Sequence, residues 1–262
     1  MNASEEERMC EDEVPRAVSP EAPDYLRQTY WWAYGHPLAV WFWDRAPLIN
    51  LVLLGNYRRL VAAALSSLSN PIEGAVLQVA NAYGQLVPRI QRQLGEQGRF
   101  DLVDVLPLQL ENAKRKLSLP DKRIRFHLCD ACALPFPADR YDFVLVFFLA
   151  HELPAEQRRV MLSEALRVLK PGGRLVLLDF HCPHALHPFR LWQKAVFTLF
   201  EPFADDMWHN DLAGYLPAAV PHAVLEKEIF FGGLYQKLIV TKEEGRSRIS
   251  GGAGFLPGQT GV

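Results

Sequence analysis

The segment Tyr141 to Leu149 reads YDFVLVFFL and is apolar almost without interruption. A strand that does not alternate apolar with polar side chains is covered on both faces. The run falls far short of the roughly 20 residues that a membrane-spanning helix needs. A strand buried on both sides demands further strands beside it and helices above and below it.

The surrounding sequence supplies both. Ala75 to Ala80 (AVLQVA), Phe100 to Val105 (FDLVDV) and Ile124 to Leu128 precede it as short strand-like runs, and Arg174 to Phe180 (RLVLLDF) follows. Helical patterns fill the gaps at Gln85 to Leu94, Pro107 to Leu117 and Pro154 to Leu169, the second opened by proline at its first turn. Lys170-Pro171-Gly172-Gly173 predicts a turn. Val224 to Phe231 and Leu234 to Thr241 flank Gly232-Gly233 and predict a hairpin. Strand–helix–strand alternation puts successive strands parallel. The expected architecture is a three-layer, Rossmann-like α/β fold. Its seven-stranded sheet is mainly parallel, with an antiparallel hairpin at the end.

Composition divides the chain into four segments. Residues 1–24 are acid-rich, hold almost no large apolar side chains and read as a disordered tail. Residues 25–69 read as an aromatic-rich helical cap. They carry four of the six tryptophans (Trp31, Trp32, Trp41, Trp43) and are broken at His36-Pro37 and Ala46-Pro47. Residues 70–242 form the main domain, and 243–262 a Gly-rich flexible tail. In the cap, Arg27, Arg45, Arg58 and Arg59 stand against Asp44 alone. Aromatic and basic side chains together suit a membrane interface; a helical lid that merely packs on the domain is the plainer alternative. No basic stretch followed by an apolar one opens the chain, so no secretory signal is expected. The balance of 28 basic and 30 acidic side chains leaves no positive field for nucleic acid. The 4 cysteines do not make a disulfide scaffold.

In such folds, chemistry is expected at the C-terminal ends of the strands. The first strand runs into Val79-Ala80-Asn81-Ala82-Tyr83-Gly84, a turn where a nucleotide-like ligand approaches the backbone. The second ends in Asp104, whose carboxylate can accept from both hydroxyls of a ribose. The third runs into Asp130, placed to accept from an adenine amino group. His151 and Glu152 follow the fourth strand; Asp179 and His181 end the fifth. Other chemistries lack their patterns. Cys129-Asp130-Ala131-Cys132 has no second pair for a zinc ribbon. His181, His184 and His187 are interrupted by Pro183. Neither a phosphate-binding G-x-x-x-x-G-K-[ST] loop nor a G-x-S-x-G elbow is present.

Asp130-Ala131-Cys132-Ala133-Leu134-Pro135-Phe136, Tyr141-Asp142-Phe143-Val144 and the stretch from Leu166 to Gly173 stand in a specific order and spacing. There the chain resembles the class I S-adenosylmethionine-dependent methyltransferases, in the branch acting on quinones. It departs from them in the glycine-rich loop. An acidic residue and three alternating glycines usually stand where this chain has Gln78, Ala80, Ala82 and Gly84. A narrower likeness rests on Tyr25 to Tyr34 with His36-Pro37, the run Leu48 to Tyr57, Val79-Ala80 with Tyr83-Gly84, Asp104-Val105-Leu106-Pro107, and Glu201-Pro202-Phe203. These resemble the rhodoquinone biosynthesis methyltransferase-like proteins. That resemblance implies conversion of ubiquinone to rhodoquinone, a ring methoxy group being replaced by an amino group. It also implies S-adenosylmethionine as the amino donor and Mn²⁺ as a required metal. The altered loop fits a changed grip on the amino-acid end of the donor.

On this reading the cofactor contacts are Gln78, Ala80, Gly84, Asp104, Val105, Asp130, Ala131 and Phe147. The catalytic group is His151, Glu152 and Tyr83. Manganese prefers oxygen ligands with some imidazole, and Glu152, Asp179 and His181 are its candidates. Trp31, Trp32, Tyr34 and His36 are expected to meet ubiquinone or a related prenylated quinone. The expected location is intracellular, peripheral to the cytoplasmic face of the inner membrane in a bacterium or the matrix side in a mitochondrion. A conventional methyltransferase acting on a quinone precursor or another lipophilic small molecule, and a non-catalytic binding protein on the same fold, are the alternatives.

Overall fold

The computed structural model describes residues 23, 26, 29–30, 37–218, 220 and 222–243. The expected tails apart from residues 23 and 243, and Trp31, Trp32, Tyr34 and His36, lie outside the described residues. The cap region holds helices α1 (Pro37–Trp43), α2 (Ala46–Val52) and α3 (Tyr57–Leu65). Proline opens the first two, where its missing N–H is no loss. Then come β1 (Ala75–Val79), α4 (Leu86–Gln93), β2 (Arg99–Asp104), α5 (Pro107–Arg115), β3 (Ile124–Leu128), β4 (Tyr141–Phe147), α6 (Ala155–Val168) and β5 (Leu169–Phe180). Helices α7 (Arg190–Phe200) and α8 (Asp206–His209) precede the closing strands β6 (His222–Phe230) and β7 (Tyr235–Lys242).

The seven strands form one sheet in the order β3-β2-β1-β4-β5-β7-β6. Pairings from β3 through β5 are parallel; β7 runs antiparallel to both β5 and β6. This is the architecture the sequence predicts. Strand periodicity splits the core into two layers. Val76, Phe143 and Leu145 join Leu60, Val61, Ala64, Leu86 and Ile90 on one face. Leu77, Val144 and Val146 join Met161, Leu162, Ala165 and Leu166 on the other. Each of these buried side chains other than the alanines contributes about 1.5–3 kcal/mol. Helix α3 therefore belongs to the core of the main sheet rather than to a detachable lid.

Two local expectations need correction. Lys170 to Gly173 is not a separate turn: it lies within β5, which starts at Leu169 opposite Tyr141, and the register shifts between Tyr141 and Phe143. Gly172 there has φ of 77°, which lets the strand bulge without a steric penalty. The final hairpin is likewise not closed by two glycines alone. A short 3₁₀ turn, Phe231–Gly233, makes the connection, with Phe231, Gly232 and Gly233 all at positive φ.

The strand order reverses between β1 and β4, which connect outward in opposite directions. The crevice beyond their C-terminal ends is where a sheet of this kind receives ligands.

Candidate active site

A cavity of about 380 Å³ opens at that crevice. Its floor is the end of β1 (Ala80, Asn81, Ala82, Tyr83), the end of β2 (Asp104, Val105, Leu106) and the end of β4 (Phe147, Phe148, His151, Glu152). Its walls come from the cap (Trp43, Ile49, Val52, Leu53, Tyr57) and from α7 with the residue after it (Trp192, Val196, Phe200, Glu201).

The β1–α4 loop is held from three sides. Gln78, fully buried, donates from Nε2 to the Ala80 carbonyl at 2.9 Å. The Gly84 amide donates to Asp44 Oδ1 at 2.6 Å. Asp44 also accepts from Lys116 Nζ at 2.7 Å and from Asn112 Nδ2 at 3.0 Å. The Tyr57 hydroxyl accepts from the Gln85 amide and sits where a Cβ on Gly84 would fall. Gly84 is thus required here both by its φ of 91° and by space. Ala80 has φ of 62°, a left-handed conformation that a side chain disfavours. A methyl-bearing residue keeps the backbone shape of a glycine loop.

Asp104, buried at the end of β2, ties this loop to the next. Its Oδ2 accepts from the Asn81 amide and its Oδ1 from the Leu106 amide, each at 2.8 Å. Burial raises its pKa to about 6, against the lowering effect of those amides. Gln109 bridges onward, accepting from Asn81 Nδ2 at 2.9 Å and donating to the Tyr83 hydroxyl at 3.0 Å. Burial also raises the Tyr83 phenol above its usual range.

At the other side of the crevice stands an acid–base group. His151 is buried, with Nδ1 2.8 Å from Asp179 Oδ1 and its amide donating to Asp179 Oδ2 at 3.2 Å. Its Nε2 faces Glu201 Oε2 at 3.9 Å. Burial opposes a charge on the ring. Asp179, by charge and hydrogen bond, then Glu201 and Glu152, outweigh it and lift the pKa to about 9. Burial raises Glu201 in turn, with His151 and Tyr30 pulling the other way. The backbone around this group is braced by Arg158, which is fully buried. Its Nε donates to the Ala150 carbonyl at 2.8 Å and Nη2 to the Phe203 carbonyl at 3.3 Å, while Nη1 pairs with Asp206 at 2.7 Å. One guanidinium therefore fixes the chain beside His151 and the chain beside Glu201.

Of the residues expected at the site, Ala80, Tyr83, Asp104, Val105, Phe147, His151 and Glu152 line the cavity. Gln78 and Gly84 shape it from beneath. Asp130 and Ala131 do not reach it: Asp130 Oδ1 accepts from the Cys132 amide at 2.8 Å, closing a local turn. Asp179 lies behind His151 and His181 is turned toward the Gly233 carbonyl at 3.0 Å. Glu152, Asp179 and His181 therefore do not converge. Among the described residues no three His, Cys, Asp or Glu side chains are grouped to hold a metal ion. Asp179 also accepts from the Phe180 amide at 2.7 Å, so its Oδ1 already has two donors. The residues present do not fit a preformed manganese site. Cys129 and Cys132 have thiols pushed up to about 12 by burial, and are unreactive at neutral pH.

Glu201 and α7 carried no assigned role in the sequence reading. The signal was there: Trp192, Val196 and Phe200 recur at helical spacing, and Glu201-Pro202-Phe203 is among the segments of the narrower resemblance.

The seven-stranded, mainly parallel sheet with its antiparallel end defines a class of fold: the chain has the three-layer, Rossmann-like fold of the class I methyltransferases. Residues 76–173 match the family model described as a methyltransferase domain. A methyltransferase from Aquifex aeolicus superposes with a TM-score of 0.53 at 18% identity, over 79% of this chain and 98% of that one. The 1,6-didemethyltoxoflavin-N1-methyltransferase of Burkholderia thailandensis was solved with 1,6-didemethyltoxoflavin and S-adenosylhomocysteine. It gives 0.54 at 18% identity, over 87% of this chain and 94% of that one. Both show the fold alone. In sequence, the chain is 32% identical over 173 residues to the ubiquinone/menaquinone biosynthesis C-methyltransferase of Azotobacter vinelandii, covering 64% of this chain. It spans 66% of that relative's length, just under two thirds.

Proposed function

We propose that this protein binds S-adenosylmethionine at the β1–β2 side of the crevice and modifies a lipophilic quinone at the β4–α7 side, replacing a ring methoxy group by an amino group. The observation that carries the reading is the pairing, in one cavity, of an altered glycine loop with a buried His151–Asp179 dyad facing Glu201. The similarity to ubiquinone/menaquinone biosynthesis C-methyltransferases supports a quinone-related substrate. The narrower resemblance supports amination and ubiquinone.

Asp104 can accept from ribose hydroxyls through its remaining lone pairs, since each oxygen takes only one backbone amide. The aromatic side chains Phe148, Phe180 and Trp192 offer flat apolar surface to a ring. An amine adds to an electrophilic quinone carbon only when unprotonated. In our reading Glu201 and Glu152 hold the ammonium form, and the proton it loses passes to Glu201, His151 being already protonated on both ring nitrogens. Asp179 keeps Nδ1 protonated and so leaves Nε2 as the site that exchanges protons. The ring methoxy leaves as methanol with a proton from His151 Nε2, so that the donor nitrogen is bonded to both the ring and the donor's Cα. The N–Cα bond then breaks by elimination, a carboxylate of the same group taking a Cβ proton while the nitrogen keeps the bond's electron pair and takes a proton, which releases the amino-quinone and leaves the donor's carbon chain as an unsaturated acid. No step is assigned to Mn²⁺, which would have to bring ligands beyond those grouped here.

The test is mass spectrometry of ubiquinone incubated with the protein, Mn²⁺ and S-adenosylmethionine carrying ¹⁵N in its amino group. Labelled amino-quinone with methoxy lost is the expected result. An added methyl with S-adenosylhomocysteine would establish the conventional methyltransferase instead. Unchanged quinone together with absent thermal stabilisation by S-adenosylmethionine would favour a non-catalytic protein.

A further inference from the structure

The cavity mouth is bordered by two apolar surfaces, of which the proposed chemistry uses only Trp192. On α1 and α2, Trp41, Phe42, Leu51 and Val52 are exposed. On α7, Leu191, Trp192, Leu199 and Phe200 are exposed. Leu51 is 70%, Leu191 81% and Leu199 72% accessible, far more than a folded chain normally leaves on one side of a site. Val52, Trp192 and Phe200 belong to both sets: each is exposed and each also lines the cavity. The apolar surface therefore continues from outside into the binding site.

Its charge is one-sided. Helices α1, α2 and α7 contain no acidic residue. Asp44, between α1 and α2, is turned inward onto Lys116 and the Gly84 amide. Arg45 and Lys194 are exposed on the same segments, and the Arg45 guanidinium lies 3.6 Å over the Trp41 ring. An apolar face whose helices carry no acidic residue, with Glu201 beyond α7 facing His151 and with Arg45 and Lys194 exposed, matches the headgroup boundary of an anionic bilayer. A second copy of the chain fits poorly, because it would set two cationic faces together and close the mouth. No single described helix is long and apolar enough to cross a membrane. Helices α2 and α3 would together pass for a bent span, but Leu60, Val61 and Ala64 of α3 are buried in the core.

We propose that α1, α2 and α7 form a docking face for a bilayer containing anionic lipid, and that the cavity takes its lipophilic substrate from within the membrane plane. The direction of substrate entry rests on the proposed function; the docking itself does not. The experiment is flotation of the full chain with vesicles of phosphatidylcholine alone and of equal parts phosphatidylcholine and phosphatidylglycerol. The comparison variant is Leu51→Glu/Leu191→Glu/Leu199→Glu, none of which lines the cavity. The wild type is expected to float with the anionic vesicles, and added salt to weaken it. The variant should bind about tenfold less or worse. Its far-UV circular dichroism and its thermal shift with S-adenosylmethionine should be unchanged. Wild type left at the bottom with both vesicles, or variant binding equal to wild type, would overturn the proposal. So would a wild-type dimer that the triple variant makes monomeric, which would assign the face to self-association. Vesicle binding without quinone turnover would leave the docking face standing and remove the proposed reaction; turnover without vesicle binding would do the reverse.

Discussion

Asp104 and Asp179 stand at the C-terminal ends of β2 and β5, on opposite sides of the same crevice, and both are buried. Their partners differ. Asp104 accepts from two backbone amides, which are neutral, and burial leaves its pKa raised to about 6. Asp179 accepts from two backbone amides as well, those of His151 and Phe180, but also from an imidazole, and it is the imidazole that shifts, to about 9. One residue type in one topological setting thus serves two purposes. The first fixes loop geometry, joining the Asn81 amide to the Leu106 amide. The second stores a positive charge beside Glu201 and Glu152. The lesson is that residue identity at a strand end does not set the chemistry; the partner supplied by the next loop does.

Breaking the charged side has the largest expected effect. His151→Ala should lower turnover by about 10²–10⁴-fold, the range for loss of a general acid–base group, while calorimetry shows S-adenosylmethionine affinity unchanged. Equal turnover would remove His151 from the chemistry. Breaking the neutral side acts on binding and stability instead. Asp104→Ala leaves the Asn81 and Leu106 amides without their acceptor and should cost about 2–3 kcal/mol in a denaturant melt, with cofactor binding lost.

The same pair separates by pH. Asp104 has a folded pKa of about 6 against an ordinary 3.8. A carboxyl raised on folding adds stability that is fully present below its ordinary value and is lost as pH rises through the folded one. His151, raised from 6.5 to about 9, adds stability present below 6.5 and lost as pH rises through 9. Thermal melts should therefore fall in two separate windows. Asp104→Asn should flatten the acidic window and His151→Gln the alkaline one. A single window unaffected by either change would break the comparison.

Much of this frame was legible. Strands buried on both faces announce themselves by composition, and strand ends in a doubly wound sheet mark the site. Asp104 and His151 follow from position alone. What escaped was contact across distance. Nothing local ties Asp44 to the Gly84 amide or Tyr57 to Gln85, yet these hold the loop. Asp130 occupies an expected position, but the turn it closes with Cys132 consumes one of its oxygens and the cavity does not extend to it. Lys170 to Gly173 has the composition of a turn, and its neighbours in the sheet nevertheless extend it as strand. Helix α7 was visible in its spacing, but only the fold shows that it walls the cavity.

The smallest expected effect bears on the alanine in the β1–α4 loop. Ala80 sits at φ of 62°, where a Cβ costs about 1 kcal/mol that glycine would not incur. Its neighbours allow no easy relaxation, because its carbonyl accepts from Gln78 and its amide donates to the Val103 carbonyl at 3.0 Å. Ala80→Gly should therefore stabilise the protein by about 0.5–1 kcal/mol in a denaturant melt. Ala80 also lines the cavity, so its methyl occupies space that a closely held cofactor would use. If that methyl serves to re-pose the amino-acid end of S-adenosylmethionine, the more stable variant should bind the cofactor at least as tightly and yield less amino-quinone. A variant that gains stability and keeps full product would show that the alanine is tolerated rather than used, and the altered grip would then have to lie at Gln78, whose side chain binds the same carbonyl.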